Sequence, residues 1–234
     1  MLNSKFIYTG QDNLIAMQAA INYNNFLLSL VSSRSGDRNL KILDFGSGIG
    51  TYANMLRGLG YSNIDCLEID ENQKKMLVNM GYSTYSSVND LEDCHYDLIY
   101  SFNVFEHIEN DTEIFEQLIK KLKVGGKILT YVPAFKILFS EMDTLVEHKR
   151  RYTKKMLANM KTPDSKIKYI NYYDPLGYFA ALSYKLMPGG NDGSIKIDQV
   201  AFYDRFIFPI SRALHPLTEK LFGKNVASLV ERIK

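Results

Sequence analysis

With 234 residues and 46% hydrophobic side chains, the chain is the size of one domain and has enough apolar surface for a sizeable core. Lys and Arg number 28 against 26 Asp and Glu, a balance that argues against a nucleic-acid partner while leaving room for a local basic patch. Two cysteines, Cys66 and Cys94, make no disulfide framework; the N-terminus lacks a basic start followed by an apolar run, and no stretch approaches the roughly 18 apolar residues of a membrane span. A soluble protein in a reducing, cytoplasmic setting is expected.

Residues 11–31 carry Leu14, Met17, Ala20, Ile21, Tyr23, Phe26, Leu27, Leu30 and Val31 at roughly helical spacing, which predicts a helix. Ser32–Asn39, with Gly36, is a polar connector that closes an N-terminal cap over 1–39. Lys41–Gly50 then reads K-I-L-D-F-G-S-G-I-G, with Asp44 two residues ahead of Gly46, and Gly48 and Gly50 following at every second position. A helix-forming run starts at Thr51. A buried strand, a tight turn and a helix N-terminus in succession let a ligand touch the main chain and offer it unpaired N–H groups. The dinucleotide spacing G-x-G-x-x-G does not match, because the third glycine comes one residue early and a carboxylate in the turn repels a pyrophosphate. The same carboxylate attracts an ammonium, so the turn suits a ligand bearing both an amino group and a carboxylate.

From residue 40, strand and helix patterns alternate over 40–45, 51–60, 63–68, 71–80, 82–86, 96–101, 111–123 and 126–132. Gly125-Gly126 is read as the stop of the 111–123 helix, and further strands are expected near 166–172 and 226–233. This order predicts crossover connections and an α/β fold whose parallel sheet is covered on both faces. Glu68 ends the 63–68 strand about 20 residues past the glycine turn, where a carboxylate accepts hydrogen bonds from ribose hydroxyls. Asp70 lies just beyond it and is placed to cap the next helix.

The 174–222 segment is a helical insertion between the core, 40–173, and the final strand, 223–234. Leu176–Leu186 is rich in Tyr, Phe, Ala and Leu, and Pro188–Gly193 is expected to form a mobile loop. Phe202, Phe206, Ile210, Leu214, Leu217 and Leu221 then recur at helical spacing across Pro209 and Pro216. The segment reads as a lid or dimer surface, or as a membrane-surface helix through 200–222 helped by Arg205, Arg212, Lys220 and Lys224.

The glycine turn, Ile64–Asp70, Tyr96–Ile108 and Leu122–Pro133 together resemble the motifs of class I S-adenosylmethionine-dependent methyltransferases, in order and at that family's spacing. The resemblance implies a Rossmann-like, mostly parallel seven-stranded sheet whose last strand is antiparallel and inserts beside the sixth. It implies S-adenosylmethionine as cofactor, held around Asp44, Gly46, Ser47, Gly48, Glu68, Ile69, Ser101, Phe102 and Asn103. Val88 and Asn89 match the adenine position, and Tyr23 is either a cover for the methionine end or a core aromatic. A narrower resemblance lies in Val132-Pro133-Ala134 followed by L-F-S-x-x-D-x-x-x-x-H-x-R-R-Y-T, similar to a bacterial subgroup associated with polysaccharide or cell-surface glycan synthesis. That subgroup has glycine where this chain has Glu147. A small-molecule or glycan acceptor is implied.

A hydroxyl acceptor usually needs a base, whereas a carboxylate or phosphate acceptor does not. His148 is therefore expected to act as general base, to orient the acceptor, or to fix its loop by hydrogen bonds. Arg151 is expected to bind an acceptor anion or to pair with Glu141, Asp143 or Glu147. His107 is a second base candidate or a partner of Glu106, while His95 and His215 carry no motif. No metal is expected. Asn103-x-x-Glu106-His107 with the distant His148 lacks the first carboxylate of the E-x-x-E-H pattern that holds a divalent ion in some methyltransferases, and a hard cation prefers several oxygen ligands.

Overall fold

The computed structural model describes residues 16–33, 37–186 and 197–234. Leu14, Gly36 and the Pro188–Gly193 loop lie outside the described residues. Seven strands form one sheet: β1 Ile42–Phe45, β2 Ile64–Leu67, β3 Ser83–Tyr85, β4 Tyr96–Phe102, β5 Leu122–Pro133, β6 Ser165–Tyr173 and β7 Asn225–Arg232. Their order is β3-β2-β1-β4-β5-β7-β6, with β7 antiparallel to both neighbours and the other pairs parallel. This is the Rossmann-like arrangement that the alternating pattern and the family resemblance predict. Chain direction reverses its march across the sheet between β1 and β4, the switch point beside which such sheets bind ligands at the strands' carboxyl ends.

Strand alternation divides the core in two. Ile42, Leu98, Tyr100, Phe102 and Tyr131 face α1 (Ile21–Ser32) and α2 (Thr51–Gly58), whereas Leu43, Phe45, Ile99, Ile128 and Val132 face α4 (Asp111–Lys121). Burying each such side chain stabilises the fold by about 1.5–3 kcal/mol. Between them, α3 (Glu71–Asn79) starts at Asp70, whose carboxylate accepts from the N–H groups of Asn72 and Gln73 at 2.9 Å each, as its position predicts.

Two helix boundaries differ from the sequence reading. The helix expected over 11–31 is interrupted at Gln18–Ala20, and α1 begins afresh at Ile21. Its first-turn N–H groups on Asn22 and Tyr23 donate to the buried Asp204 carboxylate at 2.8 Å, so the cap comes from far along the chain. The helix expected to run to 123 stops at Lys121 without help from the glycines. Arg232 Nη1 donates to the carbonyls of Lys120 and Leu122 at 2.7 and 2.6 Å, satisfying the helix end from β7. Gly125, at φ +83°, instead lies at the irregularity where β4–β5 pairing jumps from Tyr96–Leu122 to Leu98–Lys127. A Cβ on Gly126 would meet the carbonyls of Lys123 and Tyr96 at 2.9 Å.

The insertion contains α7 (Pro175–Leu186), α8 (Ile197–Phe202), a π-helical turn (Tyr203–Ile207) and α9 (Phe208–Thr218). Pro209 lies just past the π-turn, whose altered register accommodates its missing N–H, and α9 continues through Pro216. The insertion is tied down by Asp174, whose carboxylate accepts from Gly177 N at 3.0 Å, Tyr203 Oη at 2.6 Å and Ser211 Oγ at 2.7 Å. Asp204, Phe208 and Ser211 are buried, while Phe202, Phe206, Ile210, Leu214, Leu217 and Leu221 are each at least 37% exposed. The outward side of this helical stretch is thus its apolar side.

Candidate active site

The site begins at the glycine turn. Gly46, Gly48 and Gly50 have φ of +79°, +54° and +80°, the left-handed region that favours glycine. The N–H groups of Gly46 and Ser47 donate to Leu67 O at 2.9 and 3.1 Å, and Ser47 Oγ donates to Asp44 O at 2.8 Å. A Cβ on Gly46 would lie 2.3 Å from Val104 Cγ2, so the turn presses directly against the loop after β4. The start of α2, just after the glycine turn, carries no side-chain cap for its first N–H groups.

Asp44 and Glu68 are the two acids of the turn. Asp44 is buried, and its Oδ2 has no hydrogen-bond partner among the described residues. Burial pushes its carboxyl up to about 7, with the Tyr100 hydroxyl beside it lowering the value and Glu68 raising it. Glu68 follows β2; its Oε2 accepts from Gly48 N at 2.8 Å and its Oε1 from Asp70 N at 2.9 Å. With the Ile69 N–H also directed at it, the carboxylate still keeps acceptor capacity for a ligand hydroxyl. Burial raises this carboxyl as well.

The other predicted cofactor residues fall around the same end of the sheet with unequal access. Ile69 is 52% exposed beside Glu68. Val88 is buried at the start of a short 3-10 turn, Val88–Asp90, in which Asn89 is exposed. Ser101 is fully buried and, by strand alternation, faces the core half of Ile99, so its side chain points away from Asp44 and Tyr100. Phe102 packs edge-on against Tyr52 at 4.9 Å. Asn103, exposed at φ +55°, donates its N–H to Tyr131 O at 2.8 Å. Tyr23 packs edge-on against Phe208 at 5.4 Å and Tyr131 at 6.2 Å, as a core aromatic does, and its hydroxyl reaches toward Tyr131 and Asn103.

The second half of the site is centred on a residue the sequence reading named only as one of three partners for Arg151. Asp143 is buried in α5 (Glu141–Leu145) and receives Ser140 N at 2.8 Å, His148 Nδ1 at 2.7 Å, Arg151 Nε at 2.9 Å and Arg151 Nη2 at 3.0 Å. Burial alone would raise its carboxyl, but His148 and Arg151 hold it well below the usual range. Arg151 thereby makes the ion pair that was one of its two alternatives, choosing Asp143 among the three acids, with Nη1 at 3.5 Å from Ala134 O. Ser140 and Asp143 form an S-x-x-D capping box at the start of α5, which fixes where the aspartate sits on the helix.

His148 turns its remaining nitrogen, Nε2, toward Glu106 Oε1 at 3.8 Å. Its ring meets His107 edge-on, with centroids 4.7 Å apart. Glu106, read from the sequence as a companion of His107 and as part of an incomplete metal pattern, is fully buried, and neither oxygen has a hydrogen-bond partner among the described residues. Burial pushes its carboxyl up to about 8. Burial also lowers His107 to about 4, helped by His148 and Lys149. Glu106, His107 and His148 each bring one ligand atom to within 4.8 Å of the others, a convergence that the missing first carboxylate had argued against.

Glu147 stands at φ +63°, which explains the glycine of the narrower pattern: the turn before His148 is left-handed. Glu147→Gly is expected to stabilise the protein by about 0.5–1 kcal/mol, raising Tm by roughly 1–4 °C in thermal unfolding. A drop in Tm would show that the Glu147 side chain contributes more than its backbone strain costs.

The chain belongs to the methyltransferase-domain family, whose model matches residues 19–176. Among individual proteins, it is 30% identical over 112 residues to the ubiquinone biosynthesis O-methyltransferase of Rickettsia bellii, a match covering 44% of this chain and 46% of that protein. The chain thus spans about half the length of that relative. Its fold is similar to a chain in the complex between the Haloferax volcanii Trm112 methyltransferase activator and a methyltransferase, with a TM-score of 0.64 at 12% identity over 97% of this chain and 95% of that one. It is also similar to geranyl diphosphate C-methyltransferase from Streptomyces coelicolor A3(2), solved with Mg2+, geranyl diphosphate and S-adenosyl-L-homocysteine, with a TM-score of 0.59 at 13% identity over 89% of this chain and 79% of that one.

The cofactor of this family and fold is S-adenosylmethionine, and the residues present fit it. The unpartnered Asp44 Oδ2 suits the amino group, the left-handed glycine turn admits close approach of the ligand to the main chain, and Glu68 retains lone pairs for ribose hydroxyls. When bound, the sulfonium supplies an already activated methyl group, so the chain has mainly to position the acceptor and manage its proton.

Proposed function

We propose that this chain methylates an oxygen of a saccharide or glycolipid precursor used in cell-surface polysaccharide, with S-adenosylmethionine as methyl donor. The observation that carries the reading is the buried Asp143–His148 pair, which fixes the imidazole and leaves Nε2 facing the loop after β4. A fixed imidazole beside a methyl donor is useful to a hydroxyl acceptor, whose proton has to be removed, and idle for a phosphate or carboxylate. The likeness to an O-methyltransferase over part of the chain supports oxygen as the atom methylated. The saccharide rests on the L-F-S-x-x-D…H-x-R-R-Y pattern.

The outward apolar residues Phe202, Phe206, Ile210, Leu214, Leu217 and Leu221, with Arg205, Lys220 and Lys224 exposed nearby, suit contact with an anionic membrane surface that carries a lipid-linked acceptor. Among the described residues no helix is long and apolar enough to cross a membrane. The chain should pellet with anionic liposomes at low salt and lose that binding when Phe206 and Leu217 are replaced by serine. Failure to pellet contradicts the membrane contact. The rival occupant of this face is a protein subunit, a reading favoured by the similarity to the Trm112 complex; a stable stoichiometric partner recovered with the purified chain would support it.

A further inference from the structure

Glu106, His107 and His148 converge in a way that a general base alone does not require. Glu106 is fully buried with both oxygens unpartnered among the described residues. Leaving a buried polar group without a partner is costly, more so when it is charged. Both histidines have one side of the ring already held. His148 Nδ1 is bound to Asp143 at 2.7 Å, and the His107 ring is held by the backbone of Val146 and Glu147. Fixing one ring nitrogen sets a histidine's tautomer, and each ring brings a nitrogen close to the other two ligand atoms. At His148 that nitrogen is Nε2, 3.8 Å from Glu106 Oε1.

We propose that Glu106, His107 and His148 bind one divalent transition-metal ion. The surroundings match what such ions need beyond their direct ligands. A metal-bound histidine almost always gives its other ring N–H to a carboxylate or a carbonyl; Asp143 does this for His148, and the Val146–Glu147 backbone serves His107. Arg151 in turn holds Asp143 through two nitrogens, so the supporting carboxylate is itself fixed. Ligands of one ion at about 2.1 Å lie roughly 3 Å apart. The three atoms, now within 4.8 Å, therefore draw in by about 1–2 Å on binding.

The donor set also selects the ion. Two imidazoles and one carboxylate suit Zn2+ or Fe2+, whereas Mg2+ and Ca2+ prefer sites built of oxygen. Asn103, where a fourth ligand of the E-x-x-E-H pattern would stand, occupies a left-handed position at φ +55° that asparagine tolerates. Three protein ligands leave coordination positions open to an oxygen of the acceptor. This part rests on the proposed methyl transfer; it assigns the His148 Nε2 lone pair to the ion, which would acidify a coordinated acceptor hydroxyl so that its proton is given up to solvent water and the oxygen takes the methyl from the sulfonium.

The test is direct binding to the whole chain, stripped with chelator and titrated calorimetrically with Zn2+ and separately with Mg2+. Co2+ is added to the wild-type chain in parallel and its visible spectrum recorded. The account expects one Zn2+ per chain, held at least tenfold more tightly than Mg2+, and a Co2+ spectrum showing coordination by nitrogen. Glu106→Gln and Asp143→Asn should each weaken Zn2+ by about 10–100-fold, and His95→Ala should leave it unchanged. Retained S-adenosylhomocysteine binding shows that each variant is folded. No stoichiometric Zn2+ binding in the wild type, or binding indifferent to Glu106→Gln, overturns the proposal; Glu106 then stands as a neutral acid facing His148. Because none of these readouts uses methyl transfer, metal binding without cofactor binding would sink the proposed function and leave the metal site, and the converse result would do the reverse.

Discussion

Replacing Asp44 with asparagine is expected to weaken S-adenosylmethionine binding by about 2–4 kcal/mol, roughly 30- to 1000-fold, without unfolding the protein. Asparagine has the same shape, and the aspartate it replaces is buried with an unpartnered Oδ2, so the ligand-free fold loses no hydrogen bond at that atom. What is lost is the charge opposite the amino group of the cofactor. The pH dependence carries a clear sign. With its carboxyl raised to about 7, Asp44 is largely protonated below that pH in the ligand-free protein, and it must release the proton to meet an ammonium. Affinity should therefore fall by up to tenfold per pH unit below about 7, with proton release on binding, and Asp44→Asn should flatten that slope. The same raised value means that the ligand-free fold is favoured at low pH and loses this contribution as pH rises through about 7, where the cofactor's stabilisation is greatest. Calorimetry in buffers of different ionisation enthalpy measures both effects; unchanged affinity in the variant would remove Asp44 from the cofactor site.

His148→Ala is expected to lower kcat by about 100- to 10,000-fold while leaving S-adenosylhomocysteine affinity within about twofold. The split matters because His148 also holds its loop through Asp143 at 2.7 Å. His148→Asn separates the roles: its amide can still donate to Asp143 but brings no lone pair toward Glu106. If fixing the loop were the whole function, the asparagine variant would keep near-normal turnover. If Nε2 acts on the acceptor, directly or through a bound ion, asparagine will be nearly as impaired as alanine. Full turnover in His148→Ala would dispose of both versions.

The elements legible in the sequence were those whose cause is local. Leu43, Asp44 and Phe45 run straight into left-handed glycines, and Asp70 sits at the start of a helical pattern, so β1, its turn and the α3 cap could be read in place. What could not be read depends on partners far along the chain. Asp204 caps α1 across 182 residues, and Arg232 closes α4 across 112 and 110. Gly125-Gly126 looked like a helix stop because two glycines after a helical run usually are one; here the remote arginine had already ended the helix, and the glycines lie at the irregularity in β5.

The candidate site divides along the same line. The glycine turn with Asp44 is one contiguous stretch and Glu68 follows it at the end of the next strand, so both acids could be singled out from the sequence. The acceptor half is assembled from two loops, and its centre, Asp143, was only one of three acids available to Arg151. The pairing could not be chosen until α5 set Asp143 at hydrogen-bonding distance from both His148 and Arg151. Tyr100 beside Asp44 shows the same gap: a strand tyrosine reads as core, and only β1–β4 pairing brings it opposite the acid.

Transfer to oxygen is the claim on which the functional account turns. Incubating the chain with 13C-methyl S-adenosylmethionine and a fraction of polysaccharide and glycolipid precursors, then recording the product's carbon spectrum, tests it most directly. The account predicts a new O-methyl resonance on a sugar, absent with His148→Ala. An N-methyl or C-methyl product, or cofactor binding with no transfer to any oxygen, would contradict it.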